Sequence, residues 1–542
     1  MRLSGFLIVL FFLCSSVGAY CNTPLQPSTV EIPNLMSLNF PTLIKSGARH
    51  LDKWQVKEAS QIADRAIELA SNPNDKSRAL YLKSQVEFYK GNYSEAVEYG
   101  KEAYALYRDK EIGDFLDYTS KVAKTGEKFK EVKTEHFIIR YVHPKDSILP
   151  VYAQKTLEKA YYEIGSDLET YPSDSVIVEI YPDPESFAIA STLSQKDIAT
   201  TGVVGICKFN RLMIISPRLL PQGYTWLDAL AHEYTHYLIF LKSENTVTVW
   251  LHEGIAKFEE RRWREKKRQV LNPFYETLLA RALKENSLVP IEKMYPSFGK
   301  LESAYEAQLA FAQVGTIVDF IVRKWGGGAL LKLLENLREK DDYKSAVKQV
   351  TMMDFSEFYK SWAGDLRGRK LIERIPKLKV KELKFEEDKG KPEDKGQDLG
   401  DLSNAQARDY TTLGDMLKAR GRLQAAAYEY DKALNFDPVS PIILNRLAST
   451  HSALGEYEKA EELLSRSVEF YPEFVDAYKN LGGIYLKKEN FKKAEESYKS
   501  AISINPFDPE THIALISLYE KLDLSDSAES EKRVLGILVK EN

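Results

Sequence analysis

The sequence of 542 residues contains only three cysteines, so no framework of disulfide bonds holds the chain together. It also lacks an excess of either charge, with 75 lysines and arginines against 79 aspartates and glutamates. This balance does not indicate a protein that binds nucleic acid or an acidic membrane surface. No internal stretch is long and apolar enough to span a bilayer. The length exceeds what one hydrophobic core supports, and we therefore expect several domains.

The first nineteen residues have the pattern of a cleaved signal peptide. A short start with Arg2 precedes the apolar run GFLIVLFFL, and small residues lead up to Ala19. Cleavage after Ala19 predicts an exported protein, periplasmic or secreted, with no transmembrane segment once the signal is removed. An uncleaved anchor, or a lipoprotein cut before Cys14 or Cys21, fits less well, because the apolar run is short and the preceding residues suit lipidation poorly. The spacing does not indicate whether Cys21 and Cys207 pair.

Histidine is scarce as well, with eight in the chain, yet two stand four residues apart in the run WLDALAHEYTHYLIFL. His232 and His236 leave the same face of a predicted helix, where they can hold one Zn²⁺. Glu233 lies beside them, placed to take a proton from a water activated by the metal. Apolar residues at helical spacing indicate that this face is partly buried, where unpaired polar groups are costly. The motif predicts a metal-dependent hydrolase, and among hydrolases a peptidase.

A third ligand follows in the run WLHEGIAKFEE. Sixteen residues separate His236 from Glu253, enough to finish one helix, cross a loop and return on a second helix. A catalytic zinc takes three protein ligands and leaves one position for water. His232, His236 and Glu253 supply the three ligands, and His252 is the alternative to Glu253.

Together, HEYTHYL and WLHEGIAKFEE resemble the zinc site of the peptidase MA-like families, in the gluzincin group that includes thermolysin and the aminopeptidase-N-like enzymes. The resemblance covers about residues 130–370. It implies the ligand set named above, with Glu233 as general base. It also implies that Glu260, seven residues after the ligand glutamate, orients a ligand histidine. The gap between the ligands is slightly shorter than in aminopeptidase-N relatives, and His252 replaces their asparagine.

The same resemblance implies a donor for the oxyanion of the tetrahedral intermediate, and Tyr305 in the run ESAYEAQLAF is the candidate. The chain has 31 tyrosines, so a packing role is the alternative. An edge strand that pairs with the substrate backbone is also implied, and the run TGVVGIC matches it. Gly202 and Gly205 would allow close approach there, or would mark a bulge or turn. This run holds no acid of the kind that binds a substrate amino terminus, which favours an endopeptidase over an aminopeptidase.

The pattern before and after this domain is different. Residues 20–49 are expected to be irregular, and residues 50–125 to form a small helical unit like tetratricopeptide (TPR) repeats. The predicted peptidase domain spans residues 130–370, with strands and a helix before the metal helix and a helical second half. Residues 371–405 are rich in charge with few apolar side chains, which indicates a solvated linker.

A 34-residue periodicity dominates residues 406–542. Gly414, Ala448 and Gly482 recur at the same phase, as in stacked TPR helix pairs. The concave face of such a stack commonly binds a peptide or protein, so we expect a protein partner or substrate there. His512 is read as a core position of the last repeat. The predicted fold is multidomain and mostly α, with an α+β, thermolysin-like zinc peptidase domain flanked by TPR-like helical segments.

The leading expectation is therefore an exported zinc metallopeptidase that hydrolyses peptide bonds, with TPR repeats that recruit a protein partner or substrate. The alternative is a TPR scaffold protein whose metal domain is degenerate or non-catalytic. The intact set of two histidines and two glutamates argues against decay. Hydrolysis of a non-peptide bond at the same zinc is a third hypothesis, and the sequence does not identify the substrate.

Overall fold

A computed structural model describes the chain from residue 38 to residue 540, apart from positions 221, 266–267, 269, 296, 299–300, 340–341, 376–377, 379, 381–401 and 403. The predicted signal peptide, Cys14, Cys21 and most of the predicted linker lie outside these described residues. The described part is an amino-terminal helical unit, a sheet with its own helices, a helical second half and a carboxy-terminal stack of helix pairs.

The amino-terminal unit is built from helices α1 Phe40–Asp52, α2 Val56–Leu69, α3 Pro73–Tyr89, α4 Tyr93–Leu106 and α5 Lys110–Gly126. The onset of α1 differs from the irregular segment expected up to residue 49. Asn39 caps this helix by accepting a hydrogen bond from the backbone N–H of Thr42, and Leu43, Gly47 and Leu51 bury one face. The helix forms because this apolar face has α2 and α3 to pack against.

The sheet has the strand order β1-β2-β3-β5-β4 in the part of the chain that the structure describes. The middle strands are parallel, and both edge strands run antiparallel to their neighbours. This agrees with the expected mixed sheet. The elements are β1 Lys130–Lys133, β2 Phe137–Tyr141, α6 Leu149–Leu168, β3 Val176–Tyr181, α7 Pro184–Ser191, α8 Gln195–Thr201, β4 Gly205–Lys208 and β5 Arg211–Ile215.

The second half of the middle domain is helical, with α9 Trp226–Ser243, α10 Val249–Glu259, α11 Pro273–Glu285, α12 Ala304–Trp325, α13 Gly328–Glu339, α14 Tyr343–Thr351 and α15 Phe355–Gly368. Helix α9 carries the HEYTH motif and packs against α6, β4 and β5, while α10 packs against α9 and α12. One hydrophobic core joins the inner face of the sheet to these helices. The metal motif therefore lies where the sheet meets the helical half.

The carboxy-terminal repeats form the helices α16 Ala405–Ala419, α17 Leu423–Phe436, α18 Pro441–Ala453, α19 Tyr457–Phe470, α20 Val475–Lys487, α21 Phe491–Ile502, α22 Pro509–Lys521 and α23 Ser525–Leu538. A β-carbon at Gly414 would lie 2.5 Å from the ring of Tyr430, and one at Gly482 2.6 Å from the ring of Tyr498. The periodic glycines are thus the places where a tyrosine of the paired helix fills the helix interface. No helix within the described residues is both long and apolar enough to cross a membrane.

A buried charge network joins the amino-terminal unit to the sheet. Glu179 of β3 is fully buried, and its carboxylate accepts hydrogen bonds from the hydroxyl of Tyr93 at 2.7 Å and from Arg140 at 3.3 Å. Arg211 lies 3.6 Å from the same carboxylate and donates to the carbonyl of Phe88. Buried charges of this kind are tolerated only when every partner is present. The turn between α3 and α4 is therefore fixed on the outer face of the sheet.

Candidate metal centre

Two helices bring the candidate ligands together. His232 and His236 project from one face of α9, and Glu253 projects from α10. Between the helices, Glu244 and Asn245 both adopt left-handed backbone conformations, which reverse the chain. The ligand atoms of the two histidines and Glu253 all lie within 4.8 Å of one another.

Glu253 is central to this group. Its Oε2 atom lies 3.4 Å from Nε2 of His232 and 3.4 Å from Nε2 of His236. Burial alone would raise the pKa of Glu253, but the two histidines hold it well below its ordinary value. Burial would likewise lower the pKa of His232, but hydrogen bonds with Glu253 and Glu260 raise it to about 10. The carboxylates of Glu253 and Glu260 therefore favour a positive charge at the position of His232.

The outer nitrogen of His232 faces a second carboxylate. Its Nδ1 lies 3.4 Å from Oε2 of Glu260, and Oε1 of Glu260 accepts from Lys257 Nζ at 2.7 Å. Burial would raise the pKa of Glu260, but Lys257 and His232 lower it to about 2. Lys257 in turn lies over the ring of Tyr275 at 4.9 Å. Such a carboxylate fixes the orientation of a metal-binding histidine and leaves Nε2 for the metal.

His252 contacts the other histidine ligand. Its ring is stacked on that of His236, with centroids 4.6 Å apart, and the two Nδ1 atoms are in hydrogen-bond contact. Burial and the neighbouring His236 hold the pKa of His252 well below its ordinary value, so its ring is neutral and can accept this hydrogen bond. Of the two groups of possible metal ligands among the described residues, the one on α9 and α10 contains Glu253 and not His252, and the other is Glu135, His136 and Glu158, away from the motif.

Glu233 is placed differently from the other carboxylates. Its side chain is buried, and its Oε2 atom has no hydrogen-bond partner among the described residues. Burial raises the pKa of this carboxyl. An unpartnered carboxylate oxygen beside two histidines and a glutamate fits a zinc site with an adjacent general base. The donor set and its surroundings therefore suit zinc.

The two glycines of the predicted edge strand have different roles. Gly205 begins β4, at the free edge of the sheet, and a β-carbon there would lie 2.7 Å from Oε1 of Glu233. Its missing side chain therefore makes room for the glutamate. Gly202 lies before the strand, where it ends α8 in a left-handed conformation with φ of 74°. The strand is shorter than expected because α8 extends to Thr201.

Tyr305 lies in the first turn of α12. The charged groups that act on its hydroxyl are Arg281, Glu285 and Glu373, and burial raises its pKa. Arg281 and Glu285 lie on α11, which carries none of the candidate ligands. Phe311, also on α12, lies near a candidate ligand, with its ring centroid 6.4 Å from that of His232. The role of Tyr305 as oxyanion donor stays a prediction.

Sequence reasoning missed three contributors to the centre, namely Lys257, Phe311 and the space that Gly205 leaves for Glu233. Lys257 had a local signal, because a lysine three residues before Glu260 on a helix is placed to pair with it. The other two depend on contacts between distant segments, for which the sequence carried no local signal.

Comparisons with known proteins match two parts of the chain. The model of the Peptidase MA superfamily matches residues 153–368, and two tetratricopeptide repeat models match residues 417–483 and 475–508. The chain therefore carries a Peptidase MA superfamily domain followed by TPR repeats, which confirms the predicted resemblance.

Several curated relatives are similar over short stretches. Small glutamine-rich tetratricopeptide repeat-containing protein 2 of Mycosarcoma maydis is 24% identical over 123 residues, which cover 21% of this chain and 35% of the relative. The heat-shock protein cognate co-chaperone sgt12 of Aspergillus fumigatus is 32% identical over 99 residues, which cover 17% of this chain and 29% of the relative. DnaJ homolog subfamily C member 3 of Rattus norvegicus is 29% identical over 136 residues, which cover 23% of this chain and 27% of the relative. The chain thus spans about a third or less of the length of each relative.

Solved structures with similar segments include the Sgt2 TPR domain from Aspergillus fumigatus and MamA. The Sgt2 domain is 25% identical, with a TM-score of 0.22, over 23% of this chain and 83% of that one. MamA is 26% identical, with a TM-score of 0.23, over 26% of this chain and 80% of that one.

Replacing Glu260 with Gln tests the orientation of His232. The variant keeps the bulk of the side chain but loses the charge beside Nδ1, and we expect zinc affinity to fall roughly 10- to 100-fold. Competition with a chromophoric chelator measures this affinity. Glu335→Gln, on the exposed face of α13, is the matched control. Equal affinity in both variants would show that Glu260 does not support the ligand.

Proposed function

We propose that this protein is a zinc-dependent metallopeptidase, and an endopeptidase rather than an aminopeptidase. The observation that carries the proposal is the convergence of His232, His236 and Glu253 beside the unpartnered oxygen of Glu233. The match of residues 153–368 to the Peptidase MA superfamily supports a peptidase over other hydrolases.

The residues of the centre have separate tasks. His232, His236 and Glu253 would hold the zinc ion, which when bound supplies a Lewis acid for the scissile carbonyl and lowers the pKa of water. Glu233 accepts the proton of the attacking water and returns it to the leaving amine. Because burial raises the pKa of this carboxyl, it is a stronger base than an exposed glutamate.

The edge of the sheet offers a place for the substrate backbone. Strand β4 is the last strand in the described sheet order, and its first residue, Gly205, lies against Glu233. A peptide that adds to this edge gains main-chain hydrogen bonds along its length, whatever its side chains. This mode suits an extended internal segment of a polypeptide. The TPR repeats would recruit a protein partner or the substrate through their concave face.

Tyr305 is the proposed donor to the oxyanion, on the strength of its position in sequence. If it acts in this way, Tyr305→Phe lowers kcat by roughly 100-fold or more, since one lost oxyanion donor has about that effect. Zinc affinity stays unchanged, because the hydroxyl is not a ligand. A variant with the kcat of the unmodified protein would remove Tyr305 from the mechanism.

Replacing Glu233 with Gln tests the general base. The amide cannot accept the proton, so we expect peptide cleavage to fall by roughly 10²- to 10⁴-fold while zinc stays bound. Cleavage of a peptide library and metal content are measured on the same preparation. Glu357→Gln, on the exposed face of α15, is the matched control. Full activity in Glu233→Gln would contradict the mechanism, and an unmodified protein that binds zinc and cleaves nothing would favour the scaffold hypothesis.

Replacing Gly205 with Ala tests the space left for the base. The new β-carbon would lie 2.7 Å from Oε1 of Glu233, so the carboxylate must move. We expect kcat to fall by roughly 100-fold, because a misplacement of about 1 Å has that effect, while zinc binding stays intact. Gly364→Ala is the matched control, since a β-carbon there meets nothing within 4 Å. An active Gly205→Ala enzyme would show that Glu233 is not held by this strand.

A further inference from the structure

The helix that carries the histidine ligands has no cap of its own. Thr225 occupies the N-cap position of α9, and its side chain makes no capping hydrogen bond. The first N–H groups of a helix lack partners within it, and the aligned peptide dipoles leave positive charge at this end. Acceptors or negative groups from elsewhere in the chain therefore stabilise such a terminus.

Two turns of the carboxy-terminal TPR domain place acceptors and a carboxylate against the residues at this end of the helix. In the turn between α21 and α22, the carbonyl of Ile504 accepts from the backbone N–H of Tyr224 at 3.1 Å. The carbonyl of Ile502 accepts from the indole Nε1–H of Trp226, the first residue of α9, also at 3.1 Å. In the turn between α19 and α20, Oε1 of Glu473 lies 3.5 Å from Oγ1 of Thr225. Residues 224–226, at the start of the metal helix, are thus held by another domain.

The approach of the two segments is close enough to require glycine. Gly223, just before the helix, has φ of +71°, and a β-carbon there would lie 2.1 Å from the carbonyl oxygen of Ile504. Only a residue without a side chain allows the two backbones to meet in this way. The contact is therefore built into the sequence of the peptidase domain.

The turn that supplies the carbonyls is itself anchored. His512 of α22 is fully buried, with Nε2 2.9 Å from the carbonyl of Pro506 and Nδ1 2.7 Å from the carboxylate of Glu531. The hydroxyl of Tyr152, on α6 of the peptidase domain, donates to the same carboxylate at 2.9 Å. Val534 of α23 belongs to the main core of the peptidase domain. The TPR domain is therefore docked through its last repeat.

Glu473 lies within electrostatic reach of the groups that orient a ligand. Burial, with Glu260 and Asp228, raises the pKa of Glu473, and Lys257 acts in the opposite direction. Lys257 and Glu260 form the pair beside His232. The contact of Glu473 with Thr225 therefore places a carboxylate at the end of α9 that is electrostatically coupled to this pair.

We propose that the TPR domain is a positioning element of the metal centre, with Glu473 and the carbonyls of Ile502 and Ile504 holding the residues at the start of α9. These contacts set the place of the first turn of α9, and the two histidines follow on the same rigid helix. This inference rests on the proposed function, because it assigns the ligands on α9 to zinc. A domain that only recruited a partner would leave zinc affinity independent of these contacts.

Variants of the full chain test the proposal. Glu473→Gln removes an exposed carboxylate without changing bulk, and we expect zinc affinity to fall about two- to fivefold, the usual effect of one charge at a helix terminus. Gly223→Ala separates the backbones, and we expect a fall of roughly tenfold or more, comparable to the loss of a group that orients a ligand. In both variants, the amides of the first turns of α9 exchange hydrogen faster than in the unmodified protein.

Matched controls separate positioning from general stability. Glu496→Gln removes an exposed carboxylate from α21, and Trp362→Phe removes a buried indole that donates to Thr316 inside the peptidase domain. We expect both controls to keep the zinc affinity and the α9 exchange of the unmodified protein. The thermal unfolding midpoint of Glu473→Gln should match that of Glu496→Gln, so that lower zinc affinity in Glu473→Gln does not reflect global unfolding.

The result that would overturn this inference differs from the result that would contradict the proposed function. Zinc affinity and α9 exchange equal to the unmodified protein in both Glu473→Gln and Gly223→Ala would overturn the inference. Hydrogen exchange is also measured without metal. An unmodified protein that binds no zinc would contradict the proposed function, and the exchange of the α9 amides in the two variants would still test whether the TPR domain holds this helix. A protein that binds zinc but cleaves no peptide would contradict the proposed peptidase activity, and the zinc affinity and α9 exchange of the variants would still test this inference.

Discussion

The interaction on which the candidate metal centre depends is the reach of Glu253 from α10 to both histidines of α9. Two histidines on one helix offer only two ligands, and on a buried face they are costly without a compensating charge. Helix α10 packs closely against α12 because Gly254, next to Glu253, has no side chain, and a β-carbon there would lie 2.8 Å from the carbonyl of Val314 on α12. The Glu-Gly pair therefore combines a ligand with the close helix packing that presents it.

Around this pair of helices, nearly every charge near the ligands has an opposite partner. Glu260 lies between His232 and Lys257, and His252 is neutral beside His236. One oxygen of Glu233 is different among the described carboxylates near the ligands, because it is buried and has no hydrogen-bond partner. A buried polar group without a hydrogen-bond partner costs free energy. Such unpaired groups are characteristic of sites where chemistry occurs.

Helix α9 is held at both ends by the helical units that flank the peptidase domain. At its carboxyl end, Trp54 stacks on Phe240 with centroids 3.5 Å apart, and Lys53 pairs with Glu244. At its amino end, turns of the TPR domain contact the residues around Thr225. The repeats are thus parts of one folded unit with the metal helix, and rigid support of this kind keeps ligands in place.

Local patterns in the sequence were sufficient for the helix with two histidines, the third candidate ligand, the mixed sheet and the 34-residue repeats. Each of these is encoded by spacing along a few turns or strands, or by a repeating unit, and such spacing is set by backbone geometry. The packing role of the repeat glycines followed from the same periodicity. The sequence pattern did not predict that the amino-terminal unit begins at Phe40, because α1 is stabilised by the helices that it packs against.

Tertiary structure alone decided which partners meet across long stretches of chain. It assigned Gly205 to making room for Glu233, brought Phe311 to His232 and brought Ile504 to Tyr224. These contacts join segments between 28 and 280 residues apart by subtraction of the residue numbers, and no periodicity relates the two members of a pair. The sequence by itself determined the chemistry of the ligands, because that chemistry belongs to residue types at fixed local spacing. The fold decided what surrounds and supports them, because packing depends on elements that are adjacent only in space.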